Sequence, residues 1–294
     1  MTKSELPERV LLVFVDGLGW PPVPLDESMY AGMPALRELL QEHAVSIDAT
    51  LGMPGLPQSA TGQTAIFTGI NAARQLGRHV EGFPNQALRE IVAEHSVFRR
   101  LTEAGRTCTF ANAYLRGPAR TLPKGLRSVT TVMTYEALGT TRERAELDAG
   151  RAVFHDVIRA SAVKIGIGDV PLISEETGAD HLLAVLREVD FCLFEYFLTD
   201  HAGHRGDFAW QQAVLHSVDR LVAGIVAGLD QERELFLLVS DHGNIESRAD
   251  HHHTANPVPW IALGRGAELA RAGCRSLLDV TPKILALLQA SGSA

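Results

Sequence analysis

Cysteine is scarce. Cys108, Cys192 and Cys274 are the only three in 294 residues, too few and too scattered for a disulfide framework. Cys108 and Cys192 lie in apolar runs that read as strands, where a cysteine serves as a small buried hydrophobe. An excess of basic charge is also missing. With 27 Lys and Arg against 35 Asp and Glu, the formal net charge is −8, which argues against a nucleic-acid backbone as the main partner. It leaves small anionic substrates open, because bound cations reverse the local field. Long hydrophobic runs are absent as well. The apolar run 10–15, which follows a polar, charged start, is too short for a signal-peptide core or a membrane span. The cytoplasm is therefore the expected compartment, with no membrane association. There is no internal repeat and no low-complexity segment.

What remains is the composition of an ordinary soluble enzyme, 46% hydrophobic and 21% charged, on a length that suits one domain plus an insertion. Apolar runs at 10–16, 107–114, 191–198, 235–240 and 259–263 read as strands. They are continuous rather than alternating, as in strands covered on both faces. Helical spacing occupies 33–43, 97–104, 179–189, 208–229 and 281–288, and Thr281-Pro282 supplies an N-cap and first-turn pair for the last. Strands alternating with helices predict an α/β fold: a three-layer α/β/α sandwich around a mostly parallel sheet. The rhythm breaks over 115–178, which is expected to be an inserted lid or substrate-shaping segment on a core formed by 1–114 and 179–294.

Ligands of open α/β sheets gather beyond the carboxyl ends of the strands. There, three predicted strands deliver an aspartate: Asp16, Asp200 and Asp241. Two add histidine, as His201 and His204, and as His242. Seven of the twelve histidines fall between His201 and His253. Imidazole and carboxylate without nearby cysteine suit zinc or manganese and not a structural thiolate site. Asp200 and His204 are four apart, so one helical turn places both on one side. The run His251-His252-His253 offers a further ligand, and Asp16 with Asp241-His242 forms a second cluster. His201 faces away from His204 in any regular turn. His43, His95, His155, His181 and His216 lack such company and read as surface or structural residues.

The segment Pro57-Gln58-Ser59-Ala60-Thr61-Gly62-Gln63 looks like a loop entering a helix that ends at Thr68-Gly69. Serine at a helix N-terminus caps well. The same position offers orphan N–H groups and the positive dipole end to a phosphoryl group. Beside a two-metal cluster the nucleophile role is preferred, because coordination lowers the hydroxyl pKa.

Val15-Asp16-Gly17, Asp200-x-x-x-His204, Asp241-His242-Gly243-Asn244-x-Glu246 and His253-Thr254-x-Asn256-Pro257-Val258-Pro259 occur in this order. Together they resemble the alkaline-phosphatase superfamily, and most closely its branch with cofactor-independent phosphoglycerate mutase and phosphopentomutase. Leu278-Asp279-Val280-Thr281-Pro282 is similar to that superfamily's last helix. The resemblance covers roughly 8–114 and 179–290. It implies two divalent metal ions, Mn2+ or Zn2+, one held by Asp200, His204 and His253, the other by Asp16, Ser59, Asp241 and His242. It assigns the nucleophile to Ser59, ten residues before Gly69. The sulfatase signature, a Cys or Ser followed by x-Pro-x-Arg, is missing.

The resemblance has one gap. The mutases carry a large lobe soon after the nucleophile helix, whereas here only 74–95 separates that helix from the next. The expected activity is therefore metal-dependent hydrolysis of a small phosphate monoester through phosphoserine at Ser59. One rival is a phosphomutase using 115–178 as its lid, with Arg116, Arg120, Lys124, Arg127 and Lys164 on the substrate phosphate. Another is a phosphodiesterase on the same core. A catalytically silent metal-binding module is disfavoured by the retained Ser59 and the full ligand set. Arg74, Arg78 and His79 follow the nucleophile helix as further substrate-binding candidates, and no nucleic acid is expected.

Overall fold

The computed structural model describes residues 5–247 and 251–289, so the first residues of the polar N-terminal segment lie outside it. In chain order the strands are β1 (Arg9–Val15), β2 (Ala44–Ile47), β3 (Cys108–Phe110), β4 (Ala113–Tyr114), β5 (Arg142–Glu143), β6 (Phe191–Tyr196), β7 (Glu234–Val239) and β8 (Val258–Gly264). The helices are α1 (Pro34–Glu42), α2 (Ser59–Thr68), α3 (Ala72–Leu76), α4 (Gln86–His95), α5 (Val97–Glu103), α6 (Val129–Leu138) and α7 (Arg144–Asp148). They continue as α8 (Ala160–Lys164), α9 (Glu175–Leu186), α10 (Leu198–Arg205), α11 (Phe208–Gly228), α12 (Ala267–Arg271) and α13 (Val280–Gln289).

Six strands form one sheet in the order β2-β8-β7-β1-β6-β3. β1, β3, β6 and β7 run parallel, as their continuous apolar sequences require. Along β1, Val10, Leu12 and Phe14 join the core under α2, α5, α6 and α13, while Leu11, Val13 and Val15 join the core under α1, α9 and α11. A period of two thus runs inside each apolar run, hidden because both faces are covered. The result is the three-layer α/β/α sandwich. Side-chain caps set the start of several helices: Asp207 accepts from Trp210 N at the head of α11, and Ser174 from Thr177 N at α9.

The structure departs from expectation in three places. β8 is antiparallel to β7 and β2 antiparallel to β8, and β2 carries no clear apolar signal because it is short and half exposed. Among the described residues β7 and β8 are joined with no crossover helix, so the chain turns back and both ends of the loop stay at one edge of the sheet. The predicted strand 107–114 splits. After Phe110 the Asn112 amide donates to Glu195 O and accepts from Glu195 N, and β4 leaves to pair with β5. Finally, α6 lies within 115–178 yet sends Val129, Val132 and Met133 into the main core. It is part of a core layer, not of a lid. The remainder of that segment builds a small core of its own around Leu147, Phe154, Ala162 and Val170.

All three cysteines are free; Cys192 and Cys274 are buried, and Cys108 is half-buried. Among the described residues no helix is long and apolar enough to cross a membrane.

Candidate metal centre

Four parallel strands point their carboxyl ends at one edge, and the candidate residues collect there. β1 ends at Val15, and Gly17, at φ 72°, turns the chain away. A side chain on Gly17 would meet Asp200 Cα and Cβ at 3.0 Å, so this turn both needs positive φ and brings Asp16 close to Asp200. β6 leads into α10, whose first turn carries Asp200 and whose last carries His204. The β7–β8 loop supplies Asp241 and His242 at its start and His253 near its end. Glu246 ties these loops together: it accepts from Gly19 N at 3.1 Å, Asn244 N at 2.7 Å, Thr254 Oγ1 at 2.5 Å and Asn256 Nδ2 at 3.0 Å.

Two groups of potential ligand atoms result, Asp200 with His204 and His253, and Asp16 with Asp241 and His242. In the first, Asp200 Oδ1 lies 3.3 Å from His204 Nε2 and 3.4 Å from His253 Nε2. In the second, His242 Nε2 lies 3.3 Å from Asp16 Oδ1 and 3.5 Å from Asp241 Oδ2. The His242 and His253 rings stack with centroids 3.6 Å apart, so the groups adjoin. Ser59 Oγ is 3.0 Å from His242 Nε2. Ser59 is the first helical residue of α2, and the N-cap is Gln58, so simple capping does not account for the serine.

The donor set fits divalent cations. Each imidazole turns Nδ1 to a backbone carbonyl: His253 to Pro57 O at 2.8 Å, His204 to His251 O at 2.6 Å, and His242 to Gly243 O at 3.4 Å. That arrangement favours the proton on Nδ1 and leaves the Nε2 lone pair facing inward, as in metal-bound histidines. His204 Nε2 and His253 Nε2 then face each other at 3.0 Å, a contact that needs positive charge beside it. Asp16 Oδ1 is buried with no hydrogen-bond donor. Burial, followed by the Asp241, Asp200 and Glu195 charges, pushes the Asp16 carboxyl well above the usual carboxylate range. Burial also acts to raise Asp200, but bonds from His253 and Asn244 and the neighbouring imidazoles pull it below that range. Burial lowers His242. It also opposes charge on His253, which Asp200 and the Pro57 carbonyl nonetheless raise overall.

Two polar residues beyond the ligand set hold the carboxylates in place. Gln63 Nε2 donates to Asp16 Oδ2 at 3.1 Å and Asp241 Oδ2 at 3.2 Å, and Asn244 Nδ2 donates to Asp200 Oδ1 at 2.8 Å. Gln63 stands four residues after Ser59 on the same helix face. Asn244 sits inside the Asp-His-Gly-Asn segment.

The remaining candidates lie elsewhere. His251 and His252 are exposed, and His201 packs edge-on against Phe197. His79 Nδ1 is 3.5 Å from Thr61 Oγ1 on α2, and burial lowers its pKa. Arg74 and Arg78 are exposed on and after α3. Arg116 and Arg120 are exposed too, and the Arg127 guanidinium is bound by the Leu122 and Arg120 carbonyls. None of these basic side chains reaches the two clusters through a hydrogen bond or ion pair among the described residues. An open cleft of about 660 Å³ at the opposite edge of the sheet, around Arg9, Arg106 and Asp190, contains none of the candidate residues.

The sequence profile of the Metalloenzyme superfamily matches residues 8–291, across both clusters and the whole sheet. The chain belongs to this superfamily. Metalloenzyme membership implies divalent metal ions, which the two clusters of this chain suit. A 2,3-bisphosphoglycerate-independent phosphoglycerate mutase of Methylobacillus flagellatus is 30% identical over 143 residues, which is 45% of this chain and 28% of the mutase. The corresponding mutase of Moorella thermoacetica is 35% identical over 127 residues, 40% of this chain and 24% of the relative. The chain thus spans less than a third of these relatives' lengths.

Solved structures share the architecture at low identity. Alkaline phosphatase from the Antarctic bacterium TAB5 superposes with a TM-score of 0.59 at 14% identity, covering 97% of this chain and 99% of that one. Leishmania mexicana phosphoglycerate mutase gives 0.53 at 13% identity, covering 97% and 96%. The metalloenzyme fold of this chain is accordingly alkaline-phosphatase-like.

Proposed function

We propose that this chain is a two-metal phosphomonoesterase with Ser59 as its nucleophile. The observation that carries the reading is Ser59 Oγ, 3.0 Å from His242 Nε2, at the N-terminus of α2 and beside the paired clusters. Asp16, Asp241, His242 and Ser59 would hold one cation, and Asp200, His204 and His253 the other, manganese or zinc. Such cations supply Lewis-acid chemistry: a lowered hydroxyl pKa and neutralisation of the phosphoryl charge. The orphan N–H groups of the first turn of α2 bind the phosphoryl oxygens and place phosphorus in line with Ser59 Oγ. As the Oγ–P bond forms, the ester P–O bond breaks and the alcohol leaves. Water then cleaves the phosphoserine and releases phosphate.

The chain just beyond the nucleophile helix favours hydrolysis over return of the phosphoryl group. Residues 72–95 form only α3 and α4, whose Ala72 and Leu88 pack with Ala60 of α2 in one small cluster, so no lobe encloses a second hydroxyl there. The mutase relatives support a second reading, phosphoryl return within one substrate. The test is phosphate release from sugar, glycerate, nucleotide and aryl monoesters and from a diester, with manganese, zinc or chelator. Ser59→Ala is expected to lower metal-dependent release by more than about 10³-fold while still binding metal. Normal release by this variant would overturn the mechanism. An isomerised product without free phosphate would favour the mutase reading, and preference for the diester a phosphodiesterase.

A further inference from the structure

The segment 110–170, with Glu195 and Phe197, lines an open cavity of about 400 Å³ at the carboxyl ends of β3 and β6. Phe110, Leu115, Leu122, Phe154, Ile167 and Phe197 supply apolar parts of its wall, which also carries Arg116 and Glu195. It lies at the same carboxyl edge of the sheet as the two clusters, with none of their ligands in its wall. Glu195, in the wall, pairs with Phe14 in the β1–β6 register, and the next carbonyl, Tyr196 O, accepts from Asp16 N at 2.9 Å. Phe197, also in the wall, is the N-cap of α10, which carries Asp200. Glu195 bonds to α6, and α6 lies in the same helical layer as α2.

Several polar groups of this wall are paired with one another, while Arg116 stands exposed at its rim. Both amide atoms of Asn112 hold the Glu195 backbone at 2.7 and 2.9 Å. Thr130 Oγ1 donates to Glu195 Oε2 at 2.7 Å, and Tyr114 and Ser128 bond to Thr131 at 2.8 and 2.9 Å. A polyhydroxylated ligand finds few unpaired partners across this largely apolar wall. His155 is sandwiched between Phe154 and Phe197, with centroids at 4.2 and 4.5 Å, and its Nδ1 is buried without a partner.

We propose that this cavity binds the leaving group of the phosphate ester and selects an apolar, ring-bearing alcohol over a sugar or glycerate. The proposal rests on the phosphomonoesterase reading for its reaction, though not for its binding. The ring packs against the Phe154, His155 and Phe197 side chains.

The test compares 2-phenylethyl phosphate with glycerol 1-phosphate; glycerol is the more acidic leaving alcohol, so a higher kcat/KM for the phenylethyl ester reads binding and not leaving-group chemistry. Burying one ring should favour the phenylethyl ester by about 10- to 100-fold. In parallel, 2-phenylethanol, which carries no phosphate, is titrated by NMR into metal-loaded wild type, Ile167→Trp, which fills the cavity, and Leu122→Glu, which charges its wall. Saturable binding to wild type, weakened at least tenfold in whichever variant keeps the wild-type melting temperature, is expected. Equal kcat/KM for the two esters, no binding of 2-phenylethanol, or equal binding by a folded variant overturns the assignment. Binding of 2-phenylethanol with no phosphate release from either ester would instead sink the hydrolase reading alone.

Discussion

Gln63 reaches two aspartates with one nitrogen, 3.1 Å from Asp16 and 3.2 Å from Asp241. It separates two buried carboxylates that would otherwise repel, and so fixes their spacing for a cation. Gln63→Leu keeps the helix and most of the volume but removes that donor. We expect metal affinity to fall about 10- to 100-fold, the range found for residues that orient ligands. Calorimetric titration with manganese checks it, and unchanged affinity would assign Gln63 a packing role only. His155 gives a pH prediction. Burial holds its imidazole near 4, against 6.5 unfolded, with Asp156 opposing and His201 reinforcing the depression. Between those values only the unfolded chain takes up the proton, so stability rises with pH across the window and is lost as pH falls from 6.5 towards 4. That contribution is at most about 2 kcal/mol between about pH 7 and 5. His155→Phe preserves the ring stack without the titration, and urea melts at either end of that range should show a correspondingly smaller acid loss. Neither role is legible from spacing alone: a glutamine inside a helix and a histidine in an irregular segment become informative only once their neighbours are known.

At the scale of the element, α2 shows why its sequence is small and almost featureless in periodicity. Ala60 through Thr68 are all buried, packed between the sheet, α4, α6 and α13, so no polar face interrupts the run. Gly62 permits the closest approach, since a Cβ there would lie 3.0 Å from both Cβ and O of Asp241. Gly62→Ala should therefore push α2 away from the end of β7, destabilising the fold by roughly 1–3 kcal/mol. Ser59 would move with the helix, so activity is expected to fall even in the folded fraction. Denaturant titration together with kcat separates the two effects, and a variant equal to wild type in both would show that the contact relaxes freely. The existence of α2 and its stop at Gly69, φ 74°, follow from local sequence. The direction of β8 does not, because an apolar run of that length pairs either way. Only the crossover-free β7–β8 loop makes it antiparallel.

For the molecule as a whole, the two clusters join the helical layers: Ser59 comes from one side of the sheet, Asp200 and His204 from the other, and Asp16, Asp241 and His253 from the edge between. Removing the cations leaves Asp16, Asp200 and Asp241 close together with only imidazoles and the Gln63 and Asn244 amides to offset their charge, so chelation should loosen both layers at once. A cation present at about a hundred times its dissociation constant contributes about 2.7 kcal/mol to the folded state. Thermal melts should accordingly rise by several degrees from chelator to manganese or zinc, and identical melts would argue that the clusters bind neither ion. The layer architecture and the strands that deliver aspartate were legible along the chain, whereas the choice of His253 within its histidine run came only from the resemblance to the family. The first two follow from local apolar runs and from the rule that strand ends carry the site. Packing in three dimensions was needed to bring α6 into the core, to set Gln63 and Asn244 on the carboxylates, and to open an apolar cavity beside the metal edge. Each of these depends on contacts between segments far apart in the chain, and no local pattern records which distant surface a side chain will meet.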